Sequence, residues 1–234
     1  LPSQCRLAGV GVTGYGEGLL RKAFCLDTGE VETMAHLRAA RFFCPEVTAL
    51  LDIGGQDMKY CRLKDGRIDH ISLNGVCSSG CGSFLESFAD HLHMDIKEFA
   101  RQAALAEKMP DLGRHCTVIM NSYVKKVQNR GVGLADLAAA LSVSVVKNAL
   151  FSVIQLESAE ELGDHIVAEG GTFYNDAVLR AFERLTGKEV IRPDIAGLMG
   201  AYGIALKAKD QFGEQHVSSL PGAAEIKAFH METE

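Results

Sequence analysis

The sequence lacks the features that mark nucleic-acid-binding, membrane and secreted proteins. It has 24 Lys and Arg against 30 Asp and Glu, a formal net charge of −6, and its basic residues form no cluster. A nucleic-acid surface is therefore not expected. We see no apolar run long enough to span a bilayer and no signal peptide, so we expect no membrane partner.

The cysteine count also excludes a class of protein. Seven cysteines in 234 residues are an odd number in a long chain, which does not fit a secreted disulfide framework. We therefore expect a reducing cytoplasm, in which some thiols are free to bind metal. With 47% hydrophobic and 23% charged residues, the composition is that of a globular protein with one large domain or two lobes.

Hydrophobic periodicity predicts a mixed α/β sheet with helices on its faces. Asp65-Gly66 between two alternating runs predicts a hairpin, and residues 134–156 predict a helix that is apolar nearly all round and therefore buried. The predicted strands are 7–13, three between 47 and 73, 165–168 and 190–192. The predicted helices are 17–25, 32–43, 83–93, 96–106, 122–128, 134–156, 175–186 and 195–208.

A polar, glycine-rich turn at residues 52–57 follows the first of the three strands predicted between residues 47 and 73. Gly54 and Gly55 let backbone N–H groups approach an anion closely. Asp52 is suited to hold Mg²⁺ or orient water, and Gln56 to hydrogen-bond a phosphate or that water. The alternative is a plain hairpin turn, and the pattern is not a P-loop because no Gly-Lys-Ser/Thr follows.

A second glycine pair, Gly170 and Gly171, lies between a predicted strand and a predicted helix. An adenosine can lie across such a backbone, and Asn175 at the helix start is suited to cap the helix or to touch the ribose. An ordinary turn is the alternative. The two glycine turns lie on opposite sides of a long helical insertion.

Cys77, Cys81 and Cys116 form the third feature. Thiolates hold iron–sulfur clusters, and a helix N-terminus favours the thiolate form; Cys77 and Cys116 each precede a predicted helix. If each chain gives these two thiolates, a symmetric dimer completes a four-thiolate site. A zinc site and buried structural thiols are the alternatives. The remaining cysteines are predicted to be core residues: Cys5, Cys25, Cys44 and Cys61.

These motifs together resemble the ATP-dependent activators of 2-hydroxyacyl-CoA dehydratases and the ATPase subunits of benzoyl-CoA reductases. The resemblance covers about residues 6–208, and the separation of Cys77 and Cys116, 39 positions, looks like that of the family. The segments that carry it are 13–16, 52–57, 77–86, 115–118, 170–171 with Asn175, and 197–205.

The resemblance implies an α/β fold of the actin, heat-shock chaperone and acetate or sugar kinase type, with ribonuclease H-like lobes. Residues 1–46 would be the remainder of the first lobe, and 47–194 the second lobe with the cluster-helix insertion. Residues 195–208 would be a helix that returns to the first lobe, and 209–234 a tail. The family opens with an Asp-x-Gly-Ser/Thr hairpin that carries the first phosphate loop, and nothing before Leu7 supplies it. We therefore expect a fragment or one module of a longer protein. Hydrolysis of ATP would need the missing part of the phosphate clamp.

The implied function is ATP-driven electron transfer. A homodimer would hold one [4Fe-4S] cluster through Cys77 and Cys116 of each subunit and bind ATP or ADP with Mg²⁺. Asp52 and Gln56 would be catalytic, while Gly54, Gly55, Gly170, Gly171 and Asn175 would bind the nucleotide. Ferredoxin or flavodoxin would donate the electron, and a 2-hydroxyacyl-CoA dehydratase or benzoyl-CoA reductase would accept it.

Two interpretations stay open from the residues. A cluster-free regulatory module or a sugar-type kinase of the same fold would also use the two glycine turns. Cys81 stands where the family pattern has no thiol; we interpret it as a plain buried thiol, with a spare ligand or a redox-sensitive thiol as alternatives.

Overall fold

The computed structural model describes residues 6–74, 81–115, 117–213 and 216–219. It divides the chain into two compact units. The first comprises residues 1–45 and 198–234, and the second residues 46–197.

The described part of the first unit contains a short parallel strand pair and three helices. Its elements are β1 (Gly11–Thr13), α1 (Glu17–Ala23), β2 (Thr28–Glu30), α2 (Glu32–Phe43) and α8 (Met199–Phe212). β1 pairs with β2 in parallel, with Gly11 opposite Thr28, and α1 connects them. The three helices lie within a few residues of their predicted bounds, whereas β2 was not predicted.

Helices α2 and α8 pack closely because α8 has glycines where it meets α2. A Cβ atom on Gly203 would lie 1.8 Å from the carbonyl oxygen of Ala35, and one on Gly200 would lie 2.8 Å from Nε2 of His36. The backbone of Ala35 cannot move aside as a flexible side chain could. Position 203 therefore requires glycine. The run of small residues in α8 is therefore a packing feature.

The second unit is built on a five-stranded sheet with the order β5-β4-β3-β6-β7. The central strand β3 is buried at every position; it pairs antiparallel with β4 and parallel with β6. The strands are β3 (Ala49–Ile53), β4 (Met58–Lys64), β5 (Arg67–Leu73), β6 (Ile166–Glu169) and β7 (Val190–Ile191). The three strands predicted between 47 and 73 are confirmed.

The hairpin between β4 and β5 turns at Asp65 and Gly66, as predicted. Both residues have positive φ angles, 50° and 68°. A two-residue turn with this geometry matches the right-handed twist of its flanking strands, which is why Asp-Gly favours it.

Helices cover one face of the sheet. Leu51 and Ile53 of β3 point to that face and join the main hydrophobic core, which includes Phe99, Leu141 and Phe182. The helices of this unit are α3 (Gly82–His91), α4 (Ile96–Ala103), α5 (Thr117–Gln128), α6 (Leu134–Asn148) and α7 (Asp176–Thr186). Helix α5 starts at Thr117, five residues before the predicted start of the helix 122–128.

Among the described residues, the apolar stretch from Leu134 corrects the expectation that no apolar run is long enough to span a bilayer. Helix α6 continues into a π-helical segment, Ala149–Val153, and Leu134–Val153 is long and apolar enough to cross a membrane. The prediction that no run has this length was therefore wrong. In its most apolar window 61% of the residues are buried inside the protein, as expected for a core helix.

Candidate functional site

The site begins where β3 ends. Asp52 is buried near the carboxyl end of this strand, and the chain then turns through Gly54 to Asp57. The N–H of Gly54 donates to the carbonyl oxygen of Asp57 at 2.9 Å, which closes the turn, and Gly55 and Gln56 are exposed. The structure therefore presents the backbone of this turn to solvent.

The second glycine turn lies directly beside the first. β6 runs parallel to β3 and ends at Glu169, directly before Gly170, whose φ is +91°. A Cβ atom there would lie 2.3 Å from the carbonyl oxygen of Ile53 and 2.5 Å from Oδ1 of Asp52, so only glycine fits. In open α/β sheets, ligands bind outside the carboxyl ends of parallel strands, and both turns lie there.

A hydrogen bond joins the two turns. The hydroxyl of Thr172 donates to the carbonyl oxygen of Gly54 at 2.9 Å, and Thr172 is itself buried. By contrast, a Cβ atom on Gly55 or Gly171 would meet no described atom within 4 Å. Each turn therefore has one closely packed glycine and one glycine with open space above it, and a ligand can approach over the open ones.

Asn175 caps helix α7, one of the two roles considered for it. Its Oδ1 accepts from the N–H of Ala177 at 2.9 Å. The side chain is buried, and its Nδ2 has no hydrogen-bond partner among the described residues. A buried amide N–H without an acceptor is costly, so the capped position keeps a donor available for a ligand.

A row of buried charged residues crosses the sheet and was not predicted from the sequence. Lys59 of β4 and Glu169 of β6 are the register partners of Asp52 on either side, and all three are at most 8% exposed. Buried charges of opposite sign compensate one another, and carboxylate oxygens are preferred Mg²⁺ ligands. In the sequence, the sign of this row is Lys59, a lysine inside the otherwise apolar first half of β4.

The row affects its neighbour Cys61, which is on the same face. Burial raises the pKa of the Cys61 thiol to about 11; Glu169 and Asp52 raise it further, while Lys59 opposes them. Cys61 is therefore a protonated core thiol at neutral pH.

Helix α3 starts against the first glycine turn. The N–H of Gly82 donates to the carbonyl oxygen of Gly54 at 2.9 Å, and that of Ser83 to the carbonyl of Gly55 at 2.7 Å. N–H groups in the first turn of a helix have no partner within the helix, and here carbonyls of the turn accept them. The turn and the helix that follows the cysteine loop are thus directly bonded.

The predicted cluster ligands, Cys77 and Cys116, lie outside the described residues. Helix α5 starts at Thr117, directly after Cys116, and α3 starts at Gly82, five positions after Cys77. Cys81 is fully buried at the N-cap of α3, as interpreted from the sequence.

The prediction for the other cysteines is right for two and wrong for one. Cys44 and Cys61 are buried, whereas Cys25 is exposed because α1, which it follows, buries none of its residues. Cys5 lies outside the described residues.

The mixed α/β fold is of the actin-like ATPase type, as predicted. The solved activator of the 2-hydroxyisocaproyl-CoA dehydratase from Clostridium difficile with bound ADPNP superposes with a TM-score of 0.78 at 28% identity. The match covers 97% of this chain and 79% of that one.

Residues 2–208 match the BadF/BadG/BcrA/BcrD ATPase family, and the chain belongs to it. The 2-hydroxyisocaproyl-CoA dehydratase activator of Clostridioides difficile is 32% identical over 204 residues, 87% of this chain and 74% of the relative. The (R)-2-hydroxyglutaryl-CoA dehydratase activating ATPase of Acidaminococcus fermentans is 31% identical over 196 residues, 84% and 73% of the two chains.

Proposed function

We propose that this chain is an ATP-dependent activator that passes one electron to a 2-hydroxyacyl-CoA dehydratase or a related CoA-ester reductase. The observation that carries the proposal is a hydrogen-bonded junction of three segments beyond the carboxyl end of β3: both glycine turns and the start of α3 meet at the carbonyl of Gly54. The family and the named relatives support the ATPase and activator roles.

The nucleotide would lie over the open glycines. Backbone N–H groups around Gly55 would bind its phosphates, and Gly171 with the Nδ2 donor of Asn175 would bind its adenosine. Asp52 and Glu169 would hold Mg²⁺. The space above the glycines and the unpartnered Nδ2 fit such a ligand, and the Clostridium difficile activator was solved with ADPNP.

Hydrolysis needs a positioned water molecule. Gln56 is exposed at the tip of the turn, where its amide would orient the water that attacks the γ-phosphorus. The bond from that phosphorus to the bridging oxygen breaks, ADP and phosphate leave, and a proton passes to solvent. The residues act by positioning and by electrostatic stabilisation, which are the main contributions in phosphoryl transfer.

The electron carrier would be a [4Fe-4S] cluster shared by two copies of the chain, with Cys77 and Cys116 of each copy as ligands. The donor set has the four thiolates that such a cluster requires. Each cysteine precedes a helix in the chain, and the partial positive charge of a helix N-terminus favours an anionic group. Such a cluster would supply reversible one-electron transfer.

The remaining assignments complete the proposal. A reduced ferredoxin or flavodoxin would supply the electron in the cytoplasm, and the described units would correspond to parts of the two ATPase lobes. Hydrolysis of ATP provides the free energy that an uphill electron transfer requires, through a two-state element biased by the γ-phosphate.

Anaerobic reconstitution with iron and sulfide tests the cluster. We expect a brown dimer with about four irons per two chains, and loss of the visible absorption in Cys77→Ala and in Cys116→Ala. Cys25→Ala is the matched control, because Cys25 is an exposed thiol elsewhere in the chain, and it should keep the colour. Full iron content in Cys77→Ala would contradict the ligand assignment. A wild-type protein that binds ATP but takes up no iron on reconstitution would favour the regulatory module.

A further inference from the structure

The side chain of Asn74 contacts three separate segments of the second unit. Its Oδ1 accepts from the N–H of Met58 at 2.8 Å. Its Nδ2 donates to the carbonyl oxygen of Gln56 at 3.4 Å and lies 3.6 Å from Sγ of Cys81. Asn74 follows the last residue of β5, and no sequence motif pointed to it.

The orientation of this amide follows from its strongest contact. A backbone N–H is a donor only, so the atom that faces Met58 must be the amide oxygen. The amide nitrogen then faces the carbonyl oxygen of Gln56 and Sγ of Cys81, and both of these atoms are hydrogen-bond acceptors. Asn74 is therefore bound to the glycine turn on one side and to the N-cap residue of α3 on the other.

Three consecutive peptide groups of the turn are held through their carbonyls. Those of Gly54 and Gly55 accept from Gly82 and Ser83 of α3, and that of Gln56 accepts from Asn74. A peptide group is planar and rigid, so the carbonyl of Gly54 and the N–H of Gly55 rotate together. An anion that draws the N–H groups of the turn toward itself must therefore also turn the carbonyls that hold α3.

We propose that Asn74 is a positioning residue that holds the turn and the start of α3 as one hydrogen-bonded unit. A nucleotide at the turn then changes the hydrogen bonding of Gly82 and Ser83. Cys81 serves this unit as a hydrogen-bond acceptor and is not a metal ligand. The nucleotide part of this inference rests on the proposed function.

Amide hydrogen exchange at Gly82 and Ser83 measures the junction directly, because both N–H groups donate to the turn. Without nucleotide, we expect Asn74→Asp to speed their exchange by about tenfold. This variant keeps an oxygen for Met58 and replaces the donor to Gln56 and Cys81. Asn74→Ala serves as the second variant if Asn74→Asp does not fold.

Added ADP or a nonhydrolysable ATP analogue should change exchange at Gly82 and Ser83 by about tenfold in the wild type, and by less than about twofold in Asn74→Asp. The dissociation constant for ADP should stay within about threefold of the wild-type value, since the Asn74 side chain contacts the N–H of Met58, the carbonyl of Gln56 and Sγ of Cys81, and none of these is a group proposed to bind the nucleotide. The matched control is Asn129→Ala, an exposed asparagine at the end of α5, which should behave as wild type in both measurements.

The outcomes separate this inference from the proposed function. If the wild type binds no nucleotide, the proposed function fails, and the nucleotide-free exchange rates still decide the role of Asn74. Wild-type exchange at Gly82 and Ser83 in both Asn74 variants would overturn the positioning role. Loss of the cluster in Cys81→Ala would make Cys81 a ligand and overturn its role as an acceptor.

Discussion

The amide nitrogen of Gly82 lies 2.9 Å from the carbonyl oxygen of Gly54. These residues are 28 positions apart in the chain, one at the start of α3 and the other in the first glycine turn. The same carbonyl accepts from the hydroxyl of Thr172. One oxygen atom thus joins the segment proposed to bind phosphate, the helix that follows the cysteine loop and the second glycine turn.

Gly82→Ala should destabilise the protein by about 1–3 kcal/mol, because the added methyl group overpacks the junction. Its Cβ would lie 2.6 Å from Oγ1 of Thr172 and 3.3 Å from the carbonyl oxygen of Gly54. Urea denaturation followed by circular dichroism measures the change. Gly18→Ala is the control, another glycine in the first turn of a helix: its Cβ meets nothing within 4 Å, so it should be neutral or stabilising by up to about 1 kcal/mol. Equal effects of the two substitutions would argue against a packed junction.

Asn175→Ser should separate helix capping from ligand binding. Serine caps helices about as well as asparagine, so the free energy of unfolding should change by less than about 0.5 kcal/mol. The variant lacks the buried Nδ2 donor, so affinity for ADP in isothermal titration calorimetry should fall about tenfold. Asn175→Ala should lose the affinity and also about 1 kcal/mol of stability. Unchanged ADP affinity in Asn175→Ser would remove this residue from the nucleotide site.

The stability of the first unit should decrease as the pH is lowered, because protonation of the Asp27 carboxylate weakens its contacts. Hydrogen bonding by the Ser218 hydroxyl is the largest cause that lowers the pKa of Asp27 below its ordinary 3.8; His216 and the N–H of Val10 also lower it, and partial burial opposes them. Because the folded-state pKa is the lower one, these contacts stabilise the fold fully above pH 3.8 and are lost as the pH falls through the folded-state pKa.

Asp27→Asn should therefore be less stable than the wild type near neutral pH, and the difference should shrink in acid. Urea midpoints measured at several pH values below 6 test this. A difference that stays constant down to the lowest pH would exclude Asp27 as the titrating group.

Among the described cysteines, thiol alkylation should distinguish the exposed Cys25 from the three buried ones. Iodoacetamide at pH 8 should modify Cys25 in the native protein, whereas Cys44, Cys61 and Cys81 should react only in urea, because all three are buried. Cys61 has the further protection of a pKa near 11, since the thiolate is the reactive form. Peptide mass spectrometry identifies each site, and native modification of Cys61 would contradict its burial.

Local sequence patterns were sufficient for features that short segments determine alone. Asp65-Gly66 predicted its hairpin because a two-residue turn with positive φ angles tolerates few residues. Asn175 predicted the start of α7, and the helix ends at Gly187, whose φ of 68° is left-handed. A capping side chain and a left-handed glycine each act within one helical turn. The turn of residues 52–57 was found because adjacent glycines after a buried strand are a local signal for anion binding.

The sequence by itself determined the strand and helix periods, the two glycine turns and the family resemblance, since each depends on residues close together in the chain. Only the tertiary structure placed Lys59 and Glu169 beside Asp52, bound Asn74 to Gln56 and Cys81, and left Cys25 exposed. These features arise from strand register and from contacts between distant segments. A one-residue shift of register would turn each strand's side chains to the other face of the sheet, and no local pattern reports which register the packed core selects.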